Sequence, residues 1–396
     1  MTRLKPIAHT CEKVRTMPKL AYAKPEEIGL DASRLNAAYK LLRKWTTVSE
    51  RGGVSPPIPG GAILVGRKGK IVEPRFFGKQ GPEGNAEAIR RDGMFLLASI
   101  SKPVTYLGAM ILVERGLLNL SDPVTRYIPD FAAHHKDETL VQHLFTHTSG
   151  MPDMLENNHE LRRKHAPLKT FITGAIQAKP LFKAGTNLSY QSMGTLTVAE
   201  IIQRISGMTI RDFLKKEIFD PLEMKSSALG SRGVKRERLV RVETPAYQAK
   251  SDFGWNGKYW QELGVPWGGV FSAPEDFARI CQLLLNGGQL GDVRLLSPHT
   301  VTAMTTNRLN DQPELPEPIR RAKPWGLGWR LNHRGGKSSW GDLLGPKTFG
   351  HTGATGTMCW IDPDREGFCL LFTTAIRSKA PWRLVSLSNA IAAAFV

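Results

Sequence analysis

The chain has 396 residues, of which 41% are hydrophobic and 23% are charged, and its formal net charge is +18 with a pI near 9.9. This composition is ordinary for a soluble globular protein, and the length allows one large domain or two interleaved lobes. No apolar run approaches the length that crosses a bilayer, so we expect no membrane partner. Such a net charge could steer an acidic ligand or cause non-specific adhesion to nucleic acid. The basic residues are spread along the chain without a nucleic-acid-binding motif, so we interpret the charge as a solvated basic surface and expect no nucleic-acid partner.

The amino-terminal residues and the cysteines bear on the cellular compartment. Residues 1–30 show no clear periodicity and are predicted to form an arm, and residues 1–20 lack the apolar stretch of a secretory signal. The cysteines show neither Cys-x-x-Cys pairing nor a disulfide-dense spacing; they are Cys11, Cys281, Cys359 and Cys369. We therefore expect a cytoplasmic protein with reduced thiols.

The first regular elements are a helix and a hairpin. Apolar residues recur at helical spacing over 31–45, with Asp31 or Ser33 as the amino-terminal cap. A short buried strand over 61–66 is followed by a turn and a second strand over 71–77, which predicts a hairpin.

A serine and a lysine follow the next apolar run. Ser99 and Lys102 lie three residues apart, between the apolar run 94–97 and an apolar helix predicted over 104–113. On a helix this spacing places both side chains on one face. A serine hydroxyl becomes a nucleophile when a neighbouring base removes its proton, and a desolvated lysine is able to act as that base. Taken alone, the spacing favours an N-cap serine followed by a solvated lysine. Other groups in the chain must therefore decide whether the pair is catalytic.

The middle of the chain is predicted to be helical. A short helix over 140–145 leads to further helices, which are indicated by two apolar stripes: Val198, Ile201, Ile202 and Ile205, then Ile210, Phe213, Leu214 and Ile218. A capping box at 272–275 predicts the start of another helix, whose apolar face holds Phe277, Ile280, Cys281 and Leu284.

Strands return in the last part of the chain. Residues 325–331, 356–361 and 368–374 are typical of strands, and the last two flank a hairpin turn. Residues 384–391 fit a carboxyl-terminal helix.

Strands near both ends and helices between them indicate the fold class. The simplest architecture joins both ends in one antiparallel sheet flanked by the terminal helices, and adds a mostly helical lobe. We therefore predict an α/β (α+β) fold with a sheet lobe over 31–97 and 264–396 and a helical lobe over 98–263.

Two later stretches supply further candidate groups. Tyr190 precedes the helix that holds Val198, and a phenol there can extend into a cleft, where ammonium charge would lower its pKa and make it a base. His351 and Gly353 enter the late strands, where a glycine permits close approach of a substrate. Structural roles explain these residues equally well. Tyr190 would then pack with its hydroxyl at the surface, and the His351 stretch would form a strand-entry turn.

Other chemistries lack their motifs. His143 and His147 lie four apart, but no Glu follows His143 as His-Glu-x-x-His requires, so we expect no metal and assign His147 a bracing role through hydrogen bonds. Neither a Gly-x-Ser-x-Gly elbow nor a phosphate-binding loop occurs, which argues against an α/β-hydrolase and against nucleotide hydrolysis. An aromatic cluster forms either a wall of an acyl pocket or core packing: Trp255, Tyr259, Trp260 and Trp267.

Together, Ser99-x-x-Lys102, Tyr190-x-Ser192 and His351-Thr352-Gly353 resemble the motifs of the serine β-lactamase and penicillin-recognising peptidase superfamily. The chain is most similar to the class C β-lactamase branch, which includes family VIII carboxylesterases and D-amino-acid-specific peptidases. Supporting stretches lie in the expected order between about residues 30 and 396, at 144–151, 221–224, 268–272 and 326–329. The resemblance implies a β-lactamase/transpeptidase-like fold that uses no cofactor.

Carried over residue by residue, the resemblance implies roles for individual groups. Ser99 would be the acylated nucleophile, and Lys102 and Tyr190 would share the proton shuttle. The backbone N–H groups of Ser99 and Ala354 would form the oxyanion hole. The substrate-binding residues would be Ser192, His351, Gly353 and Trp267.

Two residues depart from the class C pattern. Ser192 stands where an asparagine is usual, which removes an amide that contacts the acyl side chain of the substrate. His351 stands where a lysine is usual, and a histidine is charged for only part of the time near neutral pH. Both departures disfavour efficient β-lactam hydrolysis and leave acyl transfer intact.

We therefore expect a serine hydrolase that acts on a small-molecule ester or amide through a covalent acyl-enzyme on Ser99, with ester hydrolysis or acyl transfer favoured. The alternatives are a D-aminopeptidase, a DD-peptidase or a weak β-lactamase, and a non-catalytic binding module of the same fold. The joint presence of Ser99, Lys102 and Tyr190 argues against the binding module. The sequence does not indicate an oligomeric state.

Overall fold

A computed structural model describes residues 20–49, 56–248, 251–333 and 340–396. Residues 1–19 of the predicted arm, with Cys11, lie outside the described residues. The described strands are β1 Ala21–Tyr22, β2 Gly60–Arg67, β3 Lys70–Ile71, β4 Arg75–Gly78, β5 Met94–Leu96, β6 Ser227–Leu229, β7 Leu239–Val240, β8 Val270–Ser272, β9 Gln289–Leu290, β10 Val293–Arg294, β11 Arg330–Leu331, β12 Phe349–Gly353, β13 Thr357–Asp362 and β14 Gly367–Thr373.

The described α-helices include those predicted, together with others that the sequence did not indicate. They are α1 Ala32–Thr47, α2 Ser101–Glu114, α3 Val141–Phe145, α4 Asn158–Arg163, α5 Leu168–Gln177, α6 Met193–Ser206, α7 Ile210–Leu214, α8 Lys258–Leu263, α9 Pro274–Leu285, α10 Pro298–Thr305, α11 Glu317–Ala322 and α12 Trp382–Ala392. The Asp31 side chain caps α1 by accepting from the N–H groups of Ser33 and Arg34, as predicted. None of the described helices has the length and apolar character needed to cross a membrane.

The largest sheet joins the two ends of the chain, which confirms the predicted architecture. Its strand order is β1-β3-β2-β14-β13-β12-β11, with β4 also paired to β2. Neighbours are antiparallel except β1 and β3. The terminal helices α1 and α12 pack together against this sheet, and α9 packs against β2 and β14.

The central strands of this sheet are buried on both faces because their side chains alternate between two cores. On β2, Leu64 joins the core shared with α2 and α9, whereas Ile63 and Val65 join the core shared with α1 and α12. On β14, Leu370 faces the first core, while Leu371 faces the second. This double burial explains why these segments show continuous apolar runs in the sequence.

Three local predictions were wrong. The predicted strand over 71–77 is divided into β3 and β4, because Pro74 lacks the N–H that a continuous ladder needs. The predicted strand over 325–331 is reduced to β11, because the chain turns at Gly328, whose φ is 85°. The capping box at 272–275 does not form, since Ser272 ends β8 and the cap of α9 is Ala273, without a side-chain hydrogen bond.

A second sheet was not predicted, and its strand β5 ends just before Ser99 in the sequence. Its strand order is β6-β8-β5-β7, and each of its strands has only two or three residues. Its strands β6 and β7 come from the predicted helical lobe, and β5 and β8 come from the predicted sheet lobe. The lobe boundaries therefore stay a prediction, whereas the sheet itself shows how the two segments meet at the site.

Candidate active site

Ser99 lies at a strained turn between β5 and α2. The Leu97 N–H donates to Val270 O at 2.9 Å, which holds the turn against β8. Ala98 has a φ of 48°, a left-handed conformation that is uncommon for a residue with a side chain and is often found at functional sites. Ser99 then lies in a single 3₁₀ turn over 98–100 and α2 begins at Ser101, close to the predicted helix start.

Lys102 lies beneath Ser99 and is almost completely buried. Its Nζ is 3.3 Å from Ser99 Oγ and donates to Trp267 O at 3.1 Å. Burial lowers the pKa of Lys102 to about 7, although the negative charge of Asp153 opposes this shift. The side chain is therefore able to accept a proton at neutral pH, as a general base must.

Tyr190 lies beside this pair, in the loop before α6. The Lys102 Nζ is 4.6 Å from the centroid of its ring, and its buried phenol oxygen has no hydrogen-bond partner among the described residues. Burial raises the pKa of Tyr190 and outweighs the opposing influence of the Ser99 hydroxyl. The expectation that ammonium charge lowers this pKa was wrong, because desolvation is the larger effect. The phenol stays protonated near neutral pH.

His147 holds Tyr190 in place through hydrogen bonds to the residues on either side of it in the sequence. Its carbonyl oxygen accepts from the Ser189 N–H at 3.0 Å, and its Nδ1 accepts from the Gln191 N–H at 3.2 Å. Its ring also packs against the Tyr190 ring, with the centroids 4.6 Å apart. The predicted bracing role of His147 is confirmed, and the residue that it braces is Tyr190.

The turn between β12 and β13 is held against the Ser99 segment. Thr355 Oγ1 donates to Leu96 O at 2.7 Å and Thr357 Oγ1 donates to Leu97 O at 2.9 Å. A Cβ at Gly353 would collide with Leu97 O, so only glycine permits this approach. These contacts bring Ala354, the second predicted member of the oxyanion hole, to the cavity that Ser99 lines.

His351 is buried at the same place, with 4% of its surface exposed. Its Nδ1–H donates to Thr352 O at 2.9 Å. Burial, assisted by the positive charge of Lys102, lowers the pKa of His351 to about 3. The expectation that His351 is charged for part of the time near neutral pH was therefore wrong, since the ring is neutral there.

A cavity of about 740 Å³ opens above these groups. The predicted residues on its wall are Ser99, Tyr190, Ser192, Trp267, His351 and Ala354. Gly353 and Lys102 are not on this wall, although Lys102 contacts Ser99. Trp255 and Trp260 line the cavity, as one of the two interpretations of the aromatic cluster predicted, whereas Tyr259 does not.

Comparisons with known proteins agree with this arrangement. A family model described as Beta-lactamase matches residues 47–390. The chain belongs to the Beta-lactamase family. Members of this family are serine hydrolases.

The individual proteins and structures that the chain resembles have low sequence identity to it. A Salmonella agona protein named "Putative D-alanyl-D-alanine carboxypeptidase" is 25% identical in an alignment 380 residues long, which covers 87% of this chain and 84% of that protein. The crystal structure of a penicillin-binding protein homologue from Caulobacter crescentus has a TM-score of 0.70 at 20% identity, covering 92% of this chain and 99% of that chain. A family VIII carboxylesterase has a TM-score of 0.70 at 19% identity, covering 93% and 98%. At these identities the two solved structures establish a shared fold.

The cavity of this Beta-lactamase family member also holds charged residues that the sequence did not indicate. Asp153 accepts from Ser192 Oγ at 2.6 Å, so the Ser192 hydroxyl already has a partner. Arg162, Arg330 and Arg377 line the cavity and form no ion pair within the described ranges. Among 54 lysines and arginines spread along the chain, no spacing distinguishes these three.

Proposed function

We propose that the chain is a serine hydrolase that forms an acyl-enzyme on Ser99 and acts mainly on carboxylic esters, by hydrolysis or by acyl transfer. The observation that carries this proposal is the 3.3 Å approach of Lys102 Nζ to Ser99 Oγ, in a buried setting where the lysine pKa is about 7. At neutral pH a large share of such lysines is uncharged and able to accept the serine proton.

The acylation step uses these groups in order. Neutral Lys102 accepts the Ser99 proton while Oγ forms a bond to the carbonyl carbon of the substrate. The backbone N–H groups of Ser99 and Ala354 stabilise the oxyanion. The bond from that carbon to the leaving oxygen then breaks, and the leaving group takes the proton from Lys102 through the Tyr190 phenol. A water or a second alcohol reverses these steps on the acyl-enzyme, giving hydrolysis or acyl transfer.

The departures from the class C pattern support esters over β-lactams. Ser192 has no amide, and its hydroxyl is engaged by Asp153. His351 is neutral and supplies no positive charge to a substrate carboxylate. An activated ester depends less on such contacts, because its leaving group departs readily once the serine has attacked.

Intact-mass spectrometry tests the acyl-enzyme directly. After incubation with p-nitrophenyl butyrate, we expect the protein to gain the mass of one butyryl group, located by peptide mapping on Ser99. Nitrocefin is compared in parallel, and buffer alone is the control that should leave the mass unchanged. Steady-state turnover should be faster for the ester than for nitrocefin. Acylation at another residue, or faster turnover of nitrocefin, would contradict the proposal.

A second candidate function is D-alanyl-D-alanine carboxypeptidase activity. It is favoured by Arg330 and Arg377, which line the cavity near His351 and Tyr190 and lower the pKa of His351 through their charge. These two guanidinium groups offer a substrate carboxylate the positive charge that His351 does not. Release of D-alanine from diacetyl-Lys-D-Ala-D-Ala, measured against p-nitrophenyl butyrate hydrolysis, would distinguish the two functions.

A further inference from the structure

We infer that the cavity contains an anion-binding position at Arg162, which selects substrates whose acyl group ends in a carboxylate. This inference rests on the proposed acyl-enzyme function and adds a substrate class to it. The position lies on the tryptophan-lined wall of the cavity, on different elements from Arg330 and Arg377.

Arg162 is held rigidly at the end of α4. Its residue surface is 8% exposed, and its guanidinium carbon lies 3.7 Å from the centroid of the Trp260 ring. Its Nη2 donates to Phe253 O at 3.2 Å, whereas its Nε is buried without a hydrogen-bond partner among the described residues. The planar group therefore keeps donors that the protein does not use.

The charge of Arg162 is not neutralised within the described parts of the chain. Arg115 and Arg241, by contrast, each pair with a glutamate. The aspartates on nearby segments are engaged elsewhere: Asp153 accepts from Ser192, and Asp252 pairs with His165.

Burial without a counter-ion is unfavourable for a group that stays charged at all physiological pH values. A bound anion would remove this cost. Arg162 lines the cavity that also holds Ser99, so the anion can belong to the substrate itself.

An aromatic wall connects Arg162 with the reacting groups. The centroids of the Trp260 and Trp267 rings lie 6.3 Å apart. The Trp267 carbonyl oxygen accepts from Lys102 Nζ, which also contacts Ser99. In the inferred binding mode, the apolar body of an acyl chain lies along these rings and its end meets the guanidinium. A carboxylate suits that position because its two oxygens match the paired donors of an arginine.

Two esters of equal chain length test this inference. Mono-p-nitrophenyl adipate ends in a carboxylate, and p-nitrophenyl hexanoate ends in a methyl group. We expect the wild-type kcat/KM to be at least about tenfold higher for the adipate, as is typical of one charge-assisted contact. In Arg162→Met the ratio should fall by about tenfold, and Arg162→Lys should retain part of it.

Arg163→Met is the matched control, because Arg163 is the next residue of α4 and is exposed. It removes the same charge from the molecule and should leave the ratio unchanged. A loss of the ratio in Arg377→Met together with its retention in Arg162→Met would overturn the inference.

The wild-type ratio is able to refute the inference even where a variant fails to fold. If hexanoate is hydrolysed as well as adipate, the anion-binding position is refuted while the proposed function stands. If neither ester acylates Ser99, the proposed function itself fails. The two failures are therefore distinguishable in one set of measurements.

Discussion

Burial of the Lys102 amine makes it a useful base but lowers the stability of the folded protein. Burial lowers its pKa from 10.5 to about 7, so the folded chain binds fewer protons than the unfolded chain between these pH values. By linkage, this residue makes stability increase as the pH rises from about 7 towards 10.5. Below about pH 7 the folded protein holds a buried charge, which is unfavourable. The same shift supplies a base at neutral pH.

The pH dependence of the reaction should follow Lys102. We expect kcat/KM for a neutral ester to increase as the pH rises through about 7 and then to level off, because the uncharged amine is the active form. His351 should add no step between about pH 5 and 9, since its pKa is lowered to about 3. Initial rates across this pH range would reveal both features, and a flat profile through pH 7 would contradict the role of Lys102.

Ser99→Ala should abolish turnover while the fold is kept. The hydroxyl is the proposed nucleophile, and its loss should lower kcat by several orders of magnitude. Ester hydrolysis and circular dichroism provide the measurements. Ser121→Ala is a suitable control, because Ser121 is exposed and is not on the cavity wall. Near wild-type turnover by the Ser99→Ala protein would refute the assignment.

Tyr190→Phe should reduce kcat by about 10²-fold or more, as expected for a positioned acid–base group. The change removes only the phenol oxygen, so the packing of the ring against His147 is kept. The thermal midpoint should therefore change little. An unchanged kcat would assign the proton transfers to Lys102 alone.

At the scale of elements, the site depends on how β12 meets the turn after β5. Side chains from the turn after β12 and from β13 bond to the carbonyl oxygens of Leu96 and Leu97. Gly353 permits this contact, because a side chain there would meet both Leu97 O and Thr357 Oγ1. The position of Ala354 relative to Ser99 is therefore set by contacts between strands, not by a local motif.

Gly353→Ala should lower kcat/KM by about 10²-fold, comparable to the loss of an oxyanion-hole donor. The new methyl group would push β12 away from Ser99 and displace the Ala354 N–H. Gly84→Ala serves as the control, since a Cβ there meets nothing within 4 Å. Ester kinetics and thermal melting of both variants are the measurements, and unchanged kinetics in Gly353→Ala would show that the strand approach is not critical.

At the scale of the whole molecule, the net charge of +18 acts together with the three cavity arginines. A positive surface attracts anionic substrates, and salt screens this attraction over a distance of about 10 Å at 0.1 M. We expect kcat/KM for mono-p-nitrophenyl adipate to fall several-fold as NaCl rises from about 0.02 to 0.5 M. The value for p-nitrophenyl hexanoate should change little. Equal salt responses would show that surface charge does not steer the substrate.

The candidate site combines segments that are far apart in the sequence. Ser99 follows β5, Tyr190 precedes α6 and His351 lies on β12, yet all three line one cavity. The motif residues could be predicted because each motif has a local spacing and because their order resembles a known family. Asp153 and Arg162 could not, because Asp153 belongs to no motif and Arg162 lies in a basic run over 162–165 whose members the sequence does not tell apart.

The sequence by itself determined the main helices, the strands near both chain ends that join in one sheet, and the candidate nucleophile and base, because apolar periodicity and motif spacing are local properties. It did not determine the protonation states. Those of Lys102, Tyr190 and His351 were decided only by the tertiary structure, because desolvation depends on what surrounds a group in space. The small sheet before Ser99 was also decided there, since strands of two or three residues are too short to leave a periodic signal and form only where distant segments meet.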